Sequence, residues 1–370
     1  MIMALATGNG LRKEIRAKLT GFSGHVQILN YEPGYAYEQD PVSLNAKLHA
    51  QIKSLPEVEH MQKFGRKAGI IKHQGLFEGV VLKGVNRHYQ WSYFEPYLLK
   101  GELPQITDTA YSNAILISKV LADKLRLSLS DTCAMYFVRQ NRPPLLRRFS
   151  VSGIFRTDFE EIDQNFIVGD LKHVQRLNKW DSAQVGGYEI FVKNEAQAAL
   201  LAQQLRSQLP LELDALTAKE LNPQIYQWIK LFDINIQIIL IIMVVVATIN
   251  MSIALLTIIL ERTPMIGLFK ALGSTNRQVR RIFLSHAALL IIRGMVWGNL
   301  IGIGLCLAQQ QWGLVKLDPE TYYVSEVAID LNIWYILLLN AGTLLICVIS
   351  LMLPSLLISR ITPVKAIRFD

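Results

Sequence analysis

The run INIQIILIIMVVVATINMSIALLTIIL, Ile234–Leu260, contains no charged residue. As a helix it exceeds the roughly 20 residues that cross a hydrocarbon layer about 30 Å thick. Two further runs follow, Leu284–Leu307 and Ile333–Ile358, each long enough to cross. Only helices and closed barrels satisfy their backbone polar groups in lipid, and the period-2 alternation of a barrel strand is absent. The whole chain is 51% hydrophobic and 18% charged over 370 residues. Soluble domains carry about a quarter charged residues, so the deficit marks a membrane region that begins after residue 230.

The short loops orient the spans. Between the first and second runs, Arg262, Lys270, Arg277, Arg280 and Arg281 stand against Glu261 alone. The tail carries Arg360, Lys365 and Arg368 against Asp370, whereas the loop over 309–332 carries Lys316 against Asp318, Glu320, Glu326 and Asp330. Excess Lys and Arg mark the cytoplasmic side. The basic loop and the C-terminus are therefore expected in the cytoplasm, with the 309–332 loop and residues 1–230 outside. Nucleic acid is not the partner implied by the net charge of +8, because the basic residues cluster at span ends.

Export of residues 1–230 requires a preceding signal. The start, MIMALATGNGLRKEIRAKL, has too short an apolar run for a span and lacks a signal peptide's h-region and small-residue cleavage site. The expectation is that residues 1–24 are the outer end, and the connector, of a first span that is missing from the sequence.

Residues 25–221 read as a mixed α/β extracytoplasmic domain with a mainly β insertion at about 86–165. His25–Leu29, Ala68–Lys72, Phe77–Val85, Ala114–Ile117, Phe166–Val168 and Tyr188–Val192 pattern as strands. Ala134–Val138 and Phe149–Phe155 are expected to pair as a hairpin around QNRPPLLRR. Leu44, Leu48, Ile52 and Leu55 fall on one helical face, Ser118 is placed to cap KVLADKLRL, and helices are expected from Leu171 and over Glu195–Leu209. NPQIYQWIKLFD, Asn222–Asp233, is amphipathic and aromatic, and is expected to run into the first visible span as one helix, with residues 222–370 forming the membrane domain.

Catalytic motifs are missing. No phosphate-binding loop, H-E-x-x-H or G-x-S-x-G occurs, and Gly8-Asn9-Gly10 is not followed by the third glycine of a dinucleotide loop. Cys133, Cys306 and Cys347 have no metal or disulfide spacing. The reading is a non-catalytic chain that binds no cofactor or metal of its own. Arg293, deep in the second span, either pairs within a bundle or lies on a substrate path. Gly294, Gly298 and Gly302 make a smooth stripe for close helix packing. Pro354 is expected to kink the third span.

The loop ERTPMIGLFKALGSTNRQVRRIF, Glu261–Phe283, has helix punctuation. Thr263-Pro264 reads as a capped start, Gly273 as a stop, and Ser274 or Thr275 as the cap of the next helix. Met265, Leu268, Phe269 and Leu272 form an apolar stripe. Such a helix either lies on lipid or enters a groove on a cytoplasmic partner.

RTPMIGLFKALGS resembles the coupling helix of the FtsX-like permeases of type VII ABC transporters, in particular the LolC/LolE lipoprotein-releasing branch. Leu11–Ile28, Val81–Val85, Phe149–Phe155, Tyr322–Val327 and Ile358–Arg368 extend the resemblance along nearly the whole chain; Ala328 stands where a proline is expected. Members have four spans. The resemblance implies a multi-pass inner-membrane permease with a MacB-like periplasmic domain and a coupling helix at 262–273. It implies a cytoplasmic ABC ATPase partner, which holds the ATP and Mg, and a second permease copy or paralogue. It further implies an acylated lipoprotein as substrate and a periplasmic carrier. Ile266, Leu268, Phe269 and Leu272, ending at Gly273, are expected in the ATPase groove, with Glu261, Arg262 and Lys270 at its rim. The hairpin segment Arg139, Arg142, Pro143, Pro144, Arg147 and Arg148 is the expected carrier contact, or an ordinary exposed hairpin. The alternatives are an export or cell-division mechanotransmitter of the same architecture, and a membrane-anchored receptor module without an ATPase.

Overall fold

The computed structural model describes residues 1–31, 40–139 and 142–356. The tail motif expected at Ile358–Arg368, with its three basic residues, lies outside them. The helices in chain order are α1 (Ile2–Ser23), α2 (Ala46–Lys53), α3 (Lys119–Leu125), α4 (Glu160–Asn165), α5 (Leu171–Asn178), α6 (Ala198–Arg206), α7 (Ala218–Leu221), α8 (Pro223–Glu261), α9 (Thr263–Ala271), α10 (Asn276–Trp312), α11 (Pro319–Tyr322), α12 (Ile333–Ser350) and α13 (Met352–Ser355). The strands are β1 (Val26–Asn30), β2 (Val58–His73), β3 (Leu76–Val85), β4 (Leu98–Gly101), β5 (Ala114–Ser118), β6 (Thr132–Arg139), β7 (Arg142–Phe155), β8 (Phe166–Asp170), β9 (Gly187–Val192) and β10 (Leu213–Thr217). Two compact units result. One holds Glu14–Tyr226 with Leu317–Ser325; the other holds Met1–Lys13, Gln227–Lys316 and Glu326–Asp370.

In the α/β unit the strands run β10-β1-β9-β2-β3-β8-β5-β7-β4, and β6 pairs with both β2 and β7. Long β2 divides its partners. Its first half pairs with β9, and its second half with β3 and, over Ile70–Lys72, with β6. The pairings β2-β3-β8-β5-β7-β6-β2 therefore close into a ring of six strands. Ile71, Leu82, Ile115, Ile117, Met135, Phe137, Phe149 and Ile167 fill one continuous core with residues from β1 and β9. Local chemistry sets the turns. Gln74 and Gly75 both take positive φ (47° and 86°), the twist a tight β2–β3 hairpin requires. Ser118 caps α3 by accepting from the Leu121 N–H.

The β6–β7 hairpin departs from expectation. RPPLLRR is not loop but the first half of β7, paired with β6 from Arg142 onward. Prolines cannot donate to a ladder and are tolerated at irregularities. Here they lie opposite the register shift between Phe137 and Arg139.

A buried polar cluster sits inside this unit. Lys83 on β3 and Glu189 on β9 form an ion pair of 2.8 Å with both side chains fully buried. Gln62 on β2 donates to the second Glu189 oxygen (2.8 Å). Lys83 also donates to the Phe22 carbonyl in the last turn of α1, and its ammonium lies 4.1 Å from the Phe22 ring centroid. Burial pushes the Lys83 pKa down to about 8, with Glu189 opposing the shift.

Two histidines tie this unit's stability to pH. The His25 Nδ1 accepts from the Val192 N–H (3.3 Å), which needs an unprotonated nitrogen, and the His173 Nε2 lies 3.0 Å from the Ser112 carbonyl. Burial lowers both pKa values in the folded state. The unfolded chain, titrating near 6.5, then binds protons first as pH falls. Stability is complete above that value and is lost as pH drops toward the depressed folded values. The melting temperature is expected to be lower at pH 5.5 than at pH 7.5; an unchanged melt would remove these histidines as the cause.

In the helical unit, α8, α10 and α12 are long and apolar enough to cross a membrane. The amphipathic segment from Pro223 and the first span form the single helix α8. The third span ends sooner than its apolar run. It stops at Ser350, and after Leu351 the short α13 contains Pro354. The proline ring clashes with the carbonyl four residues back, which is that of Ser350. Within this unit α1 packs closely through its glycines. A Cβ on Gly8 would collide with the Ile236 side chain of α8, and one on Gly10 with the Ala328 carbonyl. These glycines thus admit neighbouring chain at contact distance. Arg12 pairs with Asp233 (3.4 Å) and Lys13 with Asp330 (3.0 Å).

Candidate functional site

Between α8 and α10 the chain makes one short helix. Only Arg262 leaves helical geometry between α8 and α9. Thr263 is not the cap expected from its sequence. It is already helical, and its hydroxyl donates back to the Ile259 carbonyl (3.0 Å), binding α9 to the end of α8. At the far end Gly273 takes φ 95°, and the Ser274 and Gly273 N–H groups close back on the Phe269 and Lys270 carbonyls. This is a glycine-terminated helix end, with Lys270 in its last turn where the dipole favours a cation. Thr275 then opens α10 with a reciprocal capping box to Gln278. Sequence left Ser274 and Thr275 both open; the structure assigns the cap to Thr275.

Packing divides α9 into two faces. Ile266 is fully buried among Leu255 and Ile259 of α8, Val279, Phe283 and Ala287 of α10, and Leu351. Its expected place in a partner groove is therefore corrected: the side chain anchors α9 to its own bundle, and burial of that size contributes about 1.5–3 kcal/mol. Phe269 packs half-buried on the same cluster. Met265, Leu268 and Leu272 point outward, with Leu268 53% and Leu272 76% exposed. Glu261 and Arg262 are exposed beside them, and Lys270 is half-buried. The outward apolar set is thus Met265, Leu268 and Leu272, spaced as one helix face.

The glycine stripe on α10 does not act as one unit. Gly302 meets Ile2 of α1 (3.6 Å for an added Cβ), while Gly294 and Gly298 face open space. Arg293 beside them is exposed, and no ion pair reaches it among the described residues. The contact joining the second and third spans was not anticipated. Asn299 donates to the Asn340 side-chain carbonyl (3.1 Å), and Asn340 donates to the Ile336 carbonyl (2.8 Å). The signal lay in the sequence, since an amide in an apolar run needs an interhelical partner.

In the β6–β7 hairpin, Pro143, Pro144 and Arg148 are exposed and Arg147 is half-buried. Arg139 and Arg142 are register partners at the hairpin's end. The two residues between them lie outside the described set.

Comparison with known proteins fits this arrangement. Residues 237–363, which contain α9, α10 and most of α8, match the profile described as FtsX-like permease C-terminal. This region is an FtsX-like permease domain. The chain is 21% identical over 392 aligned residues to a protein named lipoprotein-releasing system transmembrane protein LolC from Xylella fastidiosa (strain Temecula1), an alignment covering 100% of this chain and 90% of that one. It is 24% identical to the pyoverdine export ATP-binding/permease protein PvdT of Pseudomonas putida (strain KT2440), across 99% of this chain and 55% of that protein. Among solved structures, the periplasmic region of MacB from Actinobacillus actinomycetemcomitans aligns with the permease at TM-score 0.37 and 12% identity, covering 56% of this chain and 95% of that one. This chain's permease domain and its three helices long and apolar enough to cross a membrane make it a multi-pass transmembrane subunit of the ABC-transporter type.

Proposed function

We propose that this permease couples ATP hydrolysis on a separate cytoplasmic ABC ATPase to motion of its α/β unit outside a bacterial inner membrane, and thereby releases acylated lipoproteins to a periplasmic carrier. The observation that carries the coupling is the outward face of α9, Met265, Leu268 and Leu272, mounted on an anchored Ile266. An apolar helix face presented to solvent on a rigid base is suited to a partner's groove. Lipid extraction supplies a reason for the motor, because removing an acyl chain from a bilayer costs about 0.8 kcal/mol per CH2. The lipoprotein branch is favoured by similarity along the full chain to a protein whose name states that role. Similarity to a pyoverdine export protein supports a second reading, an export permease of the same architecture. A second permease copy or paralogue completes either assembly.

The test is affinity capture of the full-length protein from membranes, with the captured proteins and lipids identified by mass spectrometry. An ABC ATPase together with acylated protein is expected. An ATPase without acylated protein would select the export reading. A chain recovered with no ATPase would overturn the proposal.

A further inference from the structure

The first turns of α10 carry Arg277, Arg280 and Arg281, followed on the same face by Leu284 and Ala288. Together with Met352 of α13 and the end of α12 they line a groove of about 660 Å³. Among the described residues its lining has three guanidinium groups and no carboxylate. Arg277 and Arg281 are exposed, so their charge is available to a ligand. The Arg280 Nε is buried, yet has no hydrogen-bond partner among the described residues. Buried donors are ordinarily paired, so Arg280 holds an unmet donor beside two exposed guanidinium groups, and guanidinium groups are strong donors to anionic oxygens. The polar groups near the arginines are otherwise committed: Thr275 and Gln278 bond each other, and the Ser285 hydroxyl donates to the Ile282 carbonyl.

The two ends of the groove differ in character. At the Arg277 end it faces the basic loop that precedes a membrane-crossing helix. At the other end its wall is apolar: Leu284 and Ala288 belong to α10, a helix long and apolar enough to cross a membrane, and Met352 of α13 stands beside them. A ligand that fits both ends needs an anionic head and a hydrocarbon tail. We infer that this groove binds an anionic phospholipid of the adjoining leaflet, with the phosphate held by Arg277, Arg280 and Arg281 and an acyl chain laid against Leu284, Ala288 and Met352. Free phosphate shares the head chemistry but leaves the apolar wall uncovered. The assignment requires only that the spans cross a bilayer, and stands whether or not an ATPase docks at α9.

The test uses the full chain purified in detergent and native mass spectrometry, with phosphatidylglycerol and phosphatidylcholine of identical acyl chains as probes. Selective retention of phosphatidylglycerol is expected. Arg277→Gln with Arg281→Gln should weaken it roughly 30-fold, the loss of two headgroup-level cations. Arg277→Lys with Arg281→Lys should retain most of the binding, which separates charge from misfolding. Ala288→Trp, which fills the apolar end, should also expel the lipid. Arg262→Gln with Lys270→Gln removes equal charge from the neighbouring α9 and the residue before it, and should change retention less than twofold. Equal loss in that control pair would overturn the site in favour of diffuse attraction. Displacement of the lipid by millimolar inorganic phosphate, or insensitivity to Ala288→Trp, would reduce it to an anion site and overturn the lipid. Undiminished lipid retention in the arginine pair with loss of a captured ATPase would reassign the arginines to a protein partner.

Discussion

Replacing Leu268 and Leu272 together by Asp is expected to abolish capture of an ABC ATPase while leaving the melting temperature of the chain nearly unchanged. Both side chains are exposed and contribute little to the chain's own core, so their effect on folding should stay within about 0.5 kcal/mol each. As apolar anchors in a partner groove they would contribute about 2 kcal/mol each, so the pair should weaken docking on the order of a thousandfold. Ile266→Asp is the matched opposite. It places a charge among Leu255, Val279, Phe283 and Leu351, and should collapse the packing of α9 before any partner is consulted. Copurification and thermal melts of the two variants separate docking from folding. Retained ATPase in the Leu268/Leu272 variant would remove α9 from the coupling path, and with it the central claim about mechanism.

The second large effect concerns Lys83. Lys83→Met leaves Glu189 fully buried with Gln62 as its remaining side-chain partner, and removes the donor that holds the Phe22 carbonyl. Breaking a buried pair from one side costs about 3–5 kcal/mol, because the charge left behind is uncompensated. Glu189→Gln in the same background neutralises that charge and keeps an acceptor for Gln62, so the double variant should recover most of the loss. Chemical denaturation of the four members of this cycle measures the coupling. A single variant as stable as the parent would show that Glu189 finds solvent or a proton without cost. Hydrogen exchange adds a local readout: the last turn of α1, up to Ser23, should lose protection in Lys83→Met even where the double variant restores global stability.

What could be read in the sequence follows the range of the forces involved. The three spans and α9 were legible because continuous apolar runs and Gly or Pro punctuation are local signals. The Ser118 cap and the helix through Pro223 were legible for the same reason. The side of α9 on which Ile266 falls was not. It is decided by Leu255, Val279 and Leu351, which are distant along the chain. The first half of β2 escaped because its buried Gln62 serves the Lys83–Glu189 pair, which replaces the apolar alternation that marks a strand. By sequence Gly8 and Gly10 suggest only an incomplete dinucleotide loop, whereas the structure sets them against Ile236 and Ala328. Arg-Pro-Pro-Leu-Leu suggested a loop by composition, yet pairing with β6 outweighs the two missing donors.

The closed circuit of six strands limits how another polypeptide can join the α/β unit. A visiting extended segment adds to a sheet by meeting unpaired backbone N–H and C=O groups along a free margin. Within the circuit such a margin remains only where a strand outruns a neighbour, as β3 does over Leu76–Val80, which pairs with β2 but not with β8. Among the described strands, β10 and β4 are the ones that end the series, each with a single neighbour. A recruit can zip onto one of these borders, or be gripped by side chains on turns and hairpin ends. Recognition by side chains can be retuned through surface substitutions that leave the ladder, and so the frame, intact.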